Sequence, residues 1–181
     1  MDEVIITAEP IQMEALQRKL QPDDHASSAT SRSRTEDGPE NVKETGAIVS
    51  FAGYVRGSGI RAMSLEHYPG MTELSIQACI DRARRRWELH GAVVVHRVGK
   101  LLPGELIVWV GVAASHRASA FLACESIMDF LKVEVPLWKR EQALNGNWHW
   151  VEAKSTDQAR ASRWADELNE PPAGHVNRKI Q

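Results

Sequence analysis

Apolar residues along this chain fall into short alternating or continuous runs in some stretches and recur every three to four residues in others. One long stretch does neither. Val4 to Thr7 is a short β-branched run, and Ile11 to Leu20 places Met13, Leu16 and Leu20 on one helical face. Gln21 to Glu40, QPDDHASSATSRSRTEDGPE, offers nothing larger than Ala that would seek a core, and is expected to be a disordered loop or linker. GAIVSFAGYVR, from Gly46 to Arg56, then predicts a strand, Gly57 to Gly59 a connection, and Ala62 to Tyr68 a second strand, most simply joined as a hairpin. Thr72 to about His90 reads as a helix with Ile76, Ile80, Ala83 and Trp87 on one face.

Ala92 to Val98 and Glu105 to Ala114 are nearly continuous apolar strands, so both of their faces should be covered, and helices must do the covering. One such helix is expected from an N-cap at Ser115, with Phe121, Ile127, Met128 and Leu131 among its apolar positions. Lys132 falls in its last turn, and Pro136 keeps it from continuing. Trp138 to Gln142 and Trp148 to Glu152 flank Asn145 and Gly146, a hairpin signal. A final helix is expected from Thr156 to Leu168. The order of elements predicts an α+β fold with a mostly antiparallel sheet and packed helices. The expected organisation is an N-terminal strand and helix over 1–20, the polar linker over 21–40, the main domain over 41–168 and a loose tail over 169–181.

Composition narrows the functional classes. The 181 residues, 43% of them hydrophobic, suffice for one sizeable core. Net charge is −2, with −3 of it in the polar linker, so the remainder is slightly basic and the chain as a whole is neither a nucleic-acid binder nor a membrane adsorber by composition. Cys79 and Cys124 stand alone, which supports neither a disulfide framework nor a metal site. MDEVIITAEP lacks the pattern of a signal peptide, and no apolar run has the length of a membrane span, so a cytoplasmic location is expected.

The candidate chemistry centres on LKVEVPLWKRE, where Lys132 and Lys139 flank the proline break. Taken alone they read as a helix-end cation and an edge-strand charge. His116 and Arg117 fall in the first turn of a helix, where exposed N–H groups and the dipole favour an anion and a cation has little reason to sit without one. Arg82, Arg84, Arg85 and Arg86 read as the solvated face of an ordinary charged helix.

GAIVSFAGYVR, LEHYPGMTE at Leu65 to Glu73, HRVGKLLPGE at His96 to Glu105, SHRASAF at Ser115 to Phe121, IMDFLK, PLWKRE and WVEA at Trp150 to Ala153 together resemble the large catalytic subunit of molybdopterin synthase, in order and spacing. The resemblance spans roughly Gly46 to Trp164. It implies an α/β hammerhead-like fold and sulfur addition to a cyclic pyranopterin monophosphate, forming the dithiolene of molybdopterin. The donor would be a thiocarboxylate on the C-terminal Gly-Gly tail of a small ubiquitin-like partner, the subunit itself would form a homodimer, and no cofactor would be needed.

The same resemblance places the family's two active-site lysines on Lys132 and Lys139. Its anion-binding positions fall on Arg56, His116 and Arg117, and its pocket-lining positions on Phe51 and Met128. Lys154 stands where a family arginine is common, keeping the cation but losing the planar fork. Two other classes compete with this reading. A non-catalytic dimeric α+β scaffolding module would have no use for the lysine pair and the His-Arg pair. An RNA-binding domain would display stacking aromatics on its sheet, where these strands offer mainly aliphatics.

Overall fold

The computed structural model describes residues 1–22, 45–152 and 155–166. The expected linker therefore lies almost wholly outside the described residues, as do Lys154 and the expected tail. Twelve elements follow in order among those described: β1 (Asp2–Thr7), α1 (Met13–Leu20), β2 (Ala47–Tyr54), β3 (Ile60–His67), α2 (Met71–Arg86), β4 (Leu89–Arg97), β5 (Gly99–Leu101), β6 (Leu106–Ala114), α3 (Arg117–Glu134), β7 (Leu137–Ala143), β8 (Trp148–Val151) and α4 (Ser155–Asp166).

The strands form two four-stranded sheets, ordered β1-β4-β6-β2 and β5-β3-β7-β8. Every pairing is antiparallel except that of β1 with β4. The α+β class and the mostly antiparallel pairing are as the sequence predicts. β4 and β6, at the centre of the first sheet, are buried on both faces. On one side α2 and α3 cover Val94, Val110 and Val112 with Ile76, Ile80 and Ile127. On the other, Leu16 and Leu20 of α1 close over Val93, Val95 and Trp109. Gly111 makes this second layer possible, since a Cβ there would lie 2.2 Å from the Trp109 ring.

Several local expectations are corrected. β2 and β3 do not form a hairpin, because β2 takes β6 as its partner and β3 takes β7. The continuous apolar run of β6 offers β2 a ladder from Ala47↔Ala114 to Tyr54↔Leu106, and the glycine-bearing segment 55–59 carries the chain to the second sheet. α2 stops at Arg86 rather than near His90, since Leu89 and Gly91 are drawn into pairing with β6 and Trp87 turns extended at φ −127°. Met13 is not a core residue; it is 38% exposed, and Leu16 and Leu20 alone anchor α1. Ser115 does not cap α3. The N-cap is His116, without a side-chain bond, because the Ser115 hydroxyl lies 3.0 Å from His90 Nε2.

Three of the four arginines in the basic run of α2 are occupied internally, and Arg85 is exposed. Arg82 makes two bonds of 2.9 and 2.8 Å to Glu134, Arg84 pairs with Asp2, and Arg86 stacks on Trp87 and Trp164. Among the described residues no helix is long and apolar enough to cross a membrane. Both cysteines are free and buried, and burial pushes each thiol up to about 12, which leaves them unreactive at neutral pH.

Candidate functional site

α3 places Lys132. Its buried positions include Ala120, Cys124, Ile127 and Leu131, which press the helix onto β6 and β2, while Lys132 emerges half exposed in the last turn. Val135 is already extended, at φ −86° and ψ 126°, as the residue before a proline prefers, and the chain enters β7 at Leu137. Lys139 follows on β7, opposite Leu65 of β3 and Val151 of β8. Opposed residues in an antiparallel ladder share a face, so Lys139 stands on the face that carries buried Leu65 and, diagonally, His67. Seven residues and one break thus keep both lysines at the α3–β7 junction.

Each amine faces a carboxylate. Lys132 Nζ lies 3.6 Å from Asp157 Oδ1 of α4, and Lys139 Nζ lies 3.3 Å from Glu141 Oε1 of its own strand. Sequence reading missed both acids. Glu141 was legible, because two residues along a strand is the same face. Asp157 was not, since it arrives on a helix that only tertiary packing brings to α3. Glu134, between the two lysines in sequence, is turned away to Arg82.

The remaining candidates divide by location. Met128 is buried one turn before Lys132, and Phe51 is 40% exposed on β2, an edge strand of the first sheet. α3 runs back across β6 and β2, so its C-terminus lies at the end of the sheet where β2 finishes and Arg56 follows, exposed, in segment 55–59. His116 and Arg117 are exposed at the other end of α3. Fifteen residues of helix separate Arg117 from Lys132, about 22 Å at 1.5 Å per residue. One chain therefore gathers Arg56, Met128, Lys132 and Lys139 toward one end and leaves the His-Arg pair at the other. Arg56, His116 and Arg117 form no ion pair or side-chain hydrogen bond among the described residues. Two clefts, of about 450 Å³ beside Met1 and Lys19 and about 140 Å³ beside Phe130 and Ser162, contain none of the candidate residues.

His96 is a further titratable group close to the second sheet. It is buried on β4, and its Nδ1 lies 2.8 Å from the Arg97 carbonyl oxygen, which fixes the proton on that nitrogen. Burial, aided by the neighbouring His67, lowers its pKa to about 4.

Two four-stranded sheets, a long helix with a lysine in its last turn, a second lysine across a proline break and three exposed basic side chains without an ion pair among the described residues define an α+β protein with a cation-rich candidate site. The family model described as MoaE protein matches residues 6–134. The molybdopterin synthase catalytic subunit of Ralstonia nicotianae is 52% identical over 125 residues, 67% of this chain and 70% of that protein. The protein of the same name from Escherichia coli is 50% identical over 125 residues, 67% of this chain and 83% of its own length. Among solved structures, the molybdopterin biosynthesis MoaE protein from Burkholderia ambifaria superposes with a TM-score of 0.69 at 39% identity, covering 91% of this chain and 99% of that one. The chain belongs to the MoaE family.

Proposed function

We propose that this chain is the catalytic subunit of a cytoplasmic molybdopterin synthase. It takes sulfur from the C-terminal Gly-Gly thiocarboxylate of a small ubiquitin-like partner and transfers it to a cyclic pyranopterin monophosphate, building the dithiolene. The observation that carries this reading is the placement of Lys132 and Lys139 at one junction, in a chain half identical to named catalytic subunits.

Opening a cyclic phosphate and exchanging oxygen for sulfur both move protons, and two amines at one junction can supply and receive them. Lysine also offers a nucleophile for covalent engagement of the donor tail. Arg56, His116, Arg117 and, from outside the described residues, Lys154 would hold the phosphate and pterin, with Phe51 and Met128 lining the pocket.

A homodimer gives the separated His-Arg pair a role. If the α3 N-terminus of one copy meets the α3–β7 junction of the other, the anion-binding turn and the lysines converge, and an open surface becomes a pocket. Two copies per assembly then make two sites, each with room for one partner tail.

The test is sulfur transfer by the Lys132→Ala and Lys139→Ala variants, with the thiocarboxylated partner and the cyclic pyranopterin as reactants. Each should fold, bind the partner and lose roughly 100-fold or more in product formation, the scale of a removed acid or base. Arginine at either position should not restore activity, since its guanidinium stays protonated. Near-normal turnover in both Ala variants would end this assignment.

A further inference from the structure

Lys132 carries its charge on four rotatable bonds at an open helix end, so something must hold the amine for it to act reproducibly. α4 is built to do this. Its far end is fastened firmly: Trp164 is 3% exposed and donates from Nε1 to Asp129 Oδ2 at 2.8 Å. Its ring meets Trp87 edge-on at 5.8 Å. Arg163 bridges Glu125 at 2.5 Å and Asp129 at 3.0 Å.

Glu125, Asp129 and Lys132 are spaced i, i+4, i+7, one stripe of α3. α4 lies along that stripe with Arg163 at the two acids and Asp157, six residues earlier, at the lysine. The helices are thus antiparallel, and the charge order reverses with them: base against acids at one end, acid against base at the other. Asp157 sits in the first turn of α4, where the dipole favours a carboxylate, and its side chain is only 23% exposed beside a Lys132 that is 51% exposed.

We propose that Asp157 is the positioning residue for Lys132, a carboxylate delivered by α4 to fix where the amine points. This rests on the assignment of Lys132 as a working residue of the site. An ion pair this open adds little to stability, so its value lies in geometry: it restricts the rotamers of Lys132 while leaving the amine accessible to reactants.

The experiment compares Asp157→Asn, Asp157→Glu and Lys132→Ala, singly and with Asp157→Asn combined with Lys132→Ala. The full chain is assayed with thiocarboxylated partner and cyclic pyranopterin, and thermal stability is measured alongside. Asp157→Asn should lower kcat about 10-fold with KM and melting temperature unchanged, less than the roughly 100-fold that a full ångström of displacement can cost, because the amine stays tethered to the end of α3. Asp157→Glu should recover most of that loss. In the Lys132→Ala background Asp157→Asn should cost nothing more, because its effect passes through the amine.

Full turnover in Asp157→Asn while Lys132→Ala is impaired would overturn this inference and leave the proposed function standing. So would an equal further loss in the double variant, or a fall in melting temperature that tracks the loss of turnover. Normal turnover in Lys132→Ala would sink this inference, and normal turnover in Lys139→Ala as well would sink the proposed function with it.

Discussion

At the scale of single residues, the sharpest consequence lies in His96 rather than in the lysines. Its imidazole is neutral in the fold, with a pKa of about 4, against about 6.5 for an exposed histidine. The unfolded chain therefore binds a proton between these values that the folded chain does not, and stability must rise with pH across that window. The contribution is complete above about pH 6.5 and is lost as pH falls through 4, amounting to roughly 3 kcal/mol if the whole shift is expressed. Denaturant titrations at a series of pH values should show this slope in the wild type. His96→Asn, which can keep the donor to the Arg97 carbonyl, should flatten it. An unchanged slope would assign the acid sensitivity to other groups.

At the scale of elements, α4 is the helix whose docking is most concentrated. Asp129, 6% exposed, accepts from both Trp164 and Arg163, whereas the ion pair of α1 with its sheet, Lys19 to Glu3, lies at the surface. Asp129→Ala would leave the buried indole N–H unsatisfied and should cost about 1–3 kcal/mol. Trp164→Ala would open a large cavity against α3 and should cost about 3–5 kcal/mol. Hydrogen exchange localises the effect: in both variants the amides of α4 should lose protection while those of β4 and β6 keep theirs. Uniform loss across the sheet would mean that α4 is integral to the core rather than an appended brace. Because α4 carries Asp157, such variants should also lower sulfur transfer.

At the scale of the whole molecule, the length of α3 sets the question of assembly. About 22 Å of helix between Arg117 and Lys132 means that one chain cannot bring both to one small substrate. A chain carrying Lys132→Ala and a chain carrying His116→Ala with Arg117→Ala should each be inactive alone. Co-expressed, their mixed dimers would contain one intact site in which Lys132 comes from one copy and the His-Arg pair from the other. Activity should return to about a quarter of wild type if copies pair at random and sites are shared across the dimer. No recovery, with mixed dimers verified by mass, would exclude sharing.

Local sequence signals were enough for the kinds of elements and most of their order. Apolar period separated strands from helices, Pro136 ended α3 within a turn of Lys132, and Asn145-Gly146 marked the β7–β8 turn, all because these signals act over a few residues. The order of motifs carried the family and, with it, the candidate lysines. Which strands pair was settled by tertiary structure: the short glycine-bearing connection predicts a β2–β3 hairpin, but β2 pairs with β6 and β3 with β7. It also decided that Ser115 would bond His90 instead of capping a helix, that three arginines of α2 would be spent on Glu134, Asp2 and two tryptophans, and that Asp157 would reach Lys132 from a helix 25 residues away along the chain. Each of these depends on partners distant in sequence, whose competition for the same polar group or edge has no local signature.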